Sequence, residues 1–115
     1  MKRKVLFILL CFCFTLSVVA YAHPPQDIII TFDKKTNTLN AVIKHSVSNP
    51  ATHYIKKVDI GLNGKEIKEL KFTKQDNSAT QSVSYAIVNV RPGDKLSVEG
   101  YCNLSGKLEK EITVK

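Results

Sequence analysis

Turn-forming residues cut the chain beyond position 26 into seven short runs, and this punctuation limits the folds open to it. The runs are "DIIITF" (27–32), "TLNAVIKH" (38–45), "YIKKVDIGL" (54–62), "EIKELKFT" (66–73), "SVSYAIVNV" (82–90), "KLSVEGYC" (95–102) and "LEKEITV" (108–114). Between them stand "DKKTN", "SNPA", "KQDNSAT", "RPGD" and "NLSGK". Asn63-Gly64 is the dipeptide preferred in a two-residue hairpin, because both residues tolerate positive φ. Pro50 has no N–H to give to a sheet ladder, so it breaks the chain between strands. No run shows helical periodicity. Short strands at this spacing predict an all-β chain, an immunoglobulin-like antiparallel β-sandwich of about seven strands. There is no tryptophan and no cysteine pair in this region, which excludes an antibody-type domain. No internal repeat, low-complexity tract or second domain is visible.

The chain opens "MKRKVLFILLCFCFTLSVVAYAH". Lys2, Arg3 and Lys4 form a basic n-region, Val5 to Ala20 is almost wholly apolar, and Ala20-Tyr21-Ala22 is an A-x-A cleavage sequence. That order predicts a secretory signal peptide over 1–22 and an exported protein, periplasmic or extracellular. A lipoprotein is disfavoured, since Leu10 and Phe12 precede Cys11 and Cys13 where lipid attachment wants a small residue. Cleavage after Ala22 leaves one domain, 23–115, with a modest core and no further membrane-spanning segment.

Three of the 17 basic residues lie in the leader, so the charge falls from +7 to +4, with 14 basic residues against 10 acidic. The lysines are interspersed with glutamates and aspartates. A mixed, solvated surface accounts for them, and a nucleic-acid footprint does not.

Beyond the leader only His23, His45, His53 and Cys102 carry metal-ligand chemistry of the imidazole and thiolate type. Leu39, Ala41 and Ile43 share a strand face that His45 continues. Leu96, Val98 and Gly100 share another that Cys102 continues. Side chains two apart point the same way, so His45 and Cys102 are expected to face inward. His53 opens the next strand. Taken singly, a buried free cysteine is commonly a small hydrophobe, and a strand-end histidine is commonly just hydrogen-bonded. Together they suit iron, zinc or copper. No Ser-His-Asp pattern, glycine-rich phosphate loop or inward acidic pair competes with them. Should cleavage fall after Ala22, the α-amine and imidazole of His23 can chelate one ion together, a histidine brace suited to copper. Asn103-Leu104-Ser105 fits the glycosylation sequon but is common by chance.

Two stretches, "HSVSNPATHYIKKVDI" and "GYCNLSGKLEKEI", resemble in order the "HPM…HYI…I" and "YCNLHGLWK" segments of the desulfoferrodoxin and superoxide reductase family. The resemblance covers roughly 45–115. It implies a sandwich fold with ferrous iron held by equatorial histidines and an axial cysteine. It further implies superoxide as substrate and an electron donor as partner. The matching positions are His45, His53 and Cys102, with His23 before the first strand as a fourth. Ser105 stands where the family's C-x-x-H has its histidine. His45 and His53 are eight residues apart rather than the family's usual six. Lys44 and Lys56 lie near the matched positions and would attract an anion. These features define three expectations: an exported iron protein with an altered site, a non-enzymatic sandwich that binds a partner or acts as a scaffold, and a periplasmic copper protein built on His23.

Overall fold

Two antiparallel sheets face each other across one apolar core. The computed structural model describes residues 23–115, so the expected leader over 1–22 lies outside the described residues. The strands are β1 (Asp27–Asp33), β2 (Thr38–Lys44), β3 (Ile55–Leu62), β4 (Lys65–Lys71), β5 (Thr80–Ala86), β6 (Lys95–Cys102) and β7 (Lys107–Thr113). One sheet has the order β1-β2-β5, the other β4-β3-β6-β7. This is the expected all-β sandwich. In the immunoglobulin constant arrangement the fourth strand joins the first, second and fifth. Here β4 pairs with β3 instead.

Alternation decides which face is buried. Leu39, Ala41 and Ile43 of β2, Val58 and Ile60 of β3, and Leu96 and Val98 of β6 are each at most 1% exposed. Burial of each such Ile, Leu or Val side chain contributes about 1.5–3 kcal/mol. A one-residue slip would turn these rows to solvent, so the register is tightly specified. The β3–β4 hairpin closes on Asn63 (φ 51°) and Gly64 (φ 83°), the twist that Asn-Gly supplies. The outer strands β4 ("KEIKELK") and β7 ("KLEKEIT") carry alternating Lys and Glu, which discourages edge-to-edge pairing.

The fifth strand is shifted from its expected bounds of 82–90. It starts at Thr80 and ends at Ala86. Ile87 donates its N–H to the Asn37 carbonyl at 2.8 Å, and Asn89 turns to φ 64°. The apolar residues that made 87–90 look like strand therefore split: Ile87 stays buried, while Val88 is 70% exposed.

Candidate metal centre

His45, His53 and His23 reach one end of the sandwich by three different routes. His45 follows β2 directly and keeps its alternation, so it faces inward and is fully buried. Its N–H donates to the Ala79 carbonyl at 2.9 Å, which continues the β2–β5 ladder by one residue. His53 ends a tight loop organised by Asn49. The Asn49 carbonyl accepts the His53 N–H at 2.9 Å, and its side-chain oxygen accepts the Ala51 N–H at 3.0 Å, an Asx turn. His23 precedes β1 on the rigid segment Pro24-Pro25.

That segment is clamped from two sides. Gln26 donates its N–H to the Lys44 carbonyl at 2.7 Å and accepts the Ser46 N–H on its side chain at 3.0 Å. Pro25 is buried beside Gly100 of β6. Pro24 lies on Gly106, in the β6–β7 turn. A methyl group at position 106 would come within 2.9 Å of the Pro24 ring. Gly106 also holds φ at +85°, a conformation glycine adopts freely.

The three rings then meet. Centroid separations are 4.8 Å for His23–His45, 5.0 Å for His23–His53 and 4.8 Å for His45–His53. One nitrogen from each lies within 4.8 Å of the others. Three nitrogens on one ion with Zn–N bonds of ~2.1 Å stand ~3.4–3.6 Å apart in tetrahedral or trigonal geometry. Closing the widest pair around an ion takes a movement of about an ångström, which rotation of the rings can supply.

The proton inventory of the cluster favours a cation. Among the described residues His53 Nε2 is buried with no hydrogen-bond partner, an arrangement that costs free energy if nothing binds there. Its pKa is lowered by burial first and then by His45 and His23, which keeps the ring neutral and its lone pair available. His45 Nδ1 lies 2.8 Å from Gln75 Oε1 and Nε2 lies 3.2 Å from the His23 carbonyl oxygen, so both ring nitrogens face acceptors. His23 Nε2 is 3.0 Å from the Ser46 carbonyl oxygen and Nδ1 is 2.9 Å from that of Pro24. Gln26 Nε2 also lies 3.4 Å from His23 Nδ1 and donates to it, so this ring is satisfied with its one N–H on the Ser46 carbonyl. Among the described residues the nitrogens left without a donor are Nε2 of His45, which faces an oxygen, and Nε2 of His53, which faces no partner. The residues fit a bound transition ion.

Cys102 ends β6 opposite Ile55 and is 3% exposed, at the end of its expected inward row. Its sulfur accepts the Leu104 N–H at 3.4 Å. It does not join the group in which all donor atoms lie within 4.8 Å. Ser105 is exposed, as are Lys44 and Lys56. Asn103 ties the Cys102 turn to the His53 loop: its Oδ1 accepts the Tyr54 N–H at 2.8 Å, and its amide donates to the Thr52 carbonyl at 3.0 Å.

Gln75 and Asn103 support the centre and had no ligand signature in the sequence. Gln75 sits in the polar run "KQDNSAT" yet is only 3% exposed. Among the described residues no helix is long and apolar enough to cross a membrane. Compared with protein-family models, curated proteins and solved structures, the chain matches none.

Proposed function

We propose that this is an exported transition-metal-binding protein whose ligands are the imidazoles of His23, His45 and His53. One observation carries the reading: three imidazoles from separate segments converge, and the buried Nε2 of His53 has no partner among the described residues. Imidazole donors suit Fe, Cu, Zn and Ni, and hard oxygen-seeking ions much less. Export rests on the basic, apolar and A-x-A order of the leader sequence.

The resemblance to the superoxide reductase family favours iron, with Cys102 as the thiolate that completes its coordination. The buried sulfur at the same end of the sandwich, already accepting a backbone N–H, supports that assignment. When bound, ferrous iron would supply one-electron chemistry toward superoxide. The protein's own part is to bring three imidazoles from separate segments together, with His23 held by Pro24 on Gly106 and Pro25 beside Gly100.

Copper is a second reading, favoured by a specific observation. The nitrogens of all three histidines form the group without the sulfur, and His23, directly after Ala22, is one of them. Reconstitution of the cleaved protein under anaerobic conditions separates the two. Iron binding with a thiolate charge-transfer band that Cys102→Ser abolishes supports the first. Tight copper binding lost on adding one residue before His23 supports the second. A protein that takes up no metal with either ion refutes both.

A further inference from the structure

We propose that Gln75 is a positioning residue that sets the tautomer of His45 and keeps its Nε2 lone pair open to a cation. The proposal rests on the metal-binding reading for its purpose, but its structural basis is independent of any ion.

The orientation of the Gln75 amide is fixed by its neighbours. Its nitrogen donates to two backbone carbonyls, His45 at 2.7 Å and Asn77 at 2.9 Å. Its oxygen accepts the Ile55 N–H at 3.2 Å. A flipped amide would set oxygen against two carbonyls and NH2 against an N–H. The side chain is buried, so water cannot relieve such contacts. Oε1 is therefore the atom that faces His45 Nδ1 at 2.8 Å, and an oxygen acceptor there requires Nδ1 to carry the hydrogen.

The consequence appears at the other ring nitrogen. In the neutral ring Nε2 holds the lone pair, and it lies 3.2 Å from the His23 carbonyl oxygen, a second acceptor. The opposite tautomer would pair Nε2–H with that carbonyl and close the site. It would also press the Nδ1 lone pair against Gln75 Oε1. Gln75 thus disfavours the closed, self-satisfied state of the cluster. It does so from a loop whose own N–H is anchored on the Pro50 carbonyl at 2.9 Å. Outer hydrogen-bond partners of metal-binding histidines fix ring tautomer and orientation in this way, and their loss typically costs 10–100-fold in affinity.

One variant and two readouts test the proposal. Gln75→Met keeps bulk and removes the acceptor. Long-range 1H–15N NMR of the metal-free protein at neutral pH reports which nitrogen of His45 is protonated. Wild type is expected to show Nδ1–H, and Gln75→Met to move the hydrogen to Nε2. Zn2+ affinity, measured by competition with a chromophoric chelator, is expected to fall about 10–100-fold in Gln75→Met. Nε2–H in the wild-type protein overturns the proposal even should Gln75→Met fail to fold. Unchanged tautomer or unchanged Zn2+ affinity in a folded Gln75→Met protein also overturns it. A wild-type protein that shows Nδ1–H but binds no Zn2+ and no other ion refutes the metal reading and leaves the tautomer assignment standing.

Discussion

Gly106→Ala isolates the contact that holds His23 at the centre. Gly106 has φ +85°, and a Cβ there would lie 2.9 Å from Pro24 Cβ, 3.0 Å from Cδ and 3.1 Å from the backbone nitrogen. None of these atoms can swing aside, because the proline ring is rigid. Two costs add. An L-residue in the left-handed region costs about 1–2 kcal/mol, and overpacking against a fixed neighbour costs about 1–3 kcal/mol. Gly64 supplies the control: its φ is +83°, and a Cβ there would meet nothing within 4 Å. Gly64→Ala is therefore expected to lose about 1–2 kcal/mol, and Gly106→Ala about 2–5 kcal/mol. Urea denaturation of the metal-free protein measures both by linear extrapolation. Relief of the clash by moving Pro24 would carry His23 with it, so metal affinity should fall at least about tenfold in Gly106→Ala, the equivalent of 1.4 kcal/mol. It should hold in Gly64→Ala. Adding Pro24→Gly to Gly106→Ala should recover the excess loss of stability as a coupling between the two sites. Equal destabilisation by Gly106→Ala and Gly64→Ala would refute the clamp.

Other consequences follow from the same geometry. Asn103→Ala removes the acceptor for Tyr54 N–H and the donor to Thr52; it should cost about 1–3 kcal/mol and weaken metal binding by loosening the His53 loop, measurable by denaturation and chelator competition. Ile60→Ala, at a fully buried core position, should cost about 2–5 kcal/mol in the same denaturation assay while the metal stoichiometry of the folded fraction is unchanged. The lowered pKa of His53, caused by burial and then by His45 and His23, makes stability depend on pH. The unfolded chain takes up the proton first, so metal-free protein should lose stability as pH falls below the ordinary histidine value of 6.5. His53→Phe should flatten that dependence in urea titrations across pH 5–8.

Local pattern carried much of the fold. Alternating rows in β2 and β6 placed Leu39, Ile43, Leu96 and Val98 inside, and carried His45 and Cys102 inward with them. Asn63-Gly64 closed its hairpin as the dipeptide requires. The end of β5 was not legible, because Ile87, Val88 and Val90 are all strand formers, and the positive φ of Asn89 turns the chain between them. The convergence of the histidines was only half legible. Alternation gives a side chain's direction but not which strand ends coincide. Contacts distant in sequence were invisible: nothing in "HPP" marks Pro24 as the partner of Gly106, eighty-two positions away. Gln75 was hidden most completely. It sits among polar loop residues, and only the tertiary fold turns it toward His45, thirty positions earlier. Asn103 was visible only as a chance sequon, whereas its amide holds the Thr52–Tyr54 backbone.

If the three imidazoles hold one metal ion, elemental analysis of the cleaved protein, purified and loaded without oxygen, will show it beside the variant His45→Phe/His53→Phe. One transition ion per chain in the native protein, with none retained by the folded double variant, is the expected result. No bound ion in the native protein, or equal loading in the double variant, would contradict the claim.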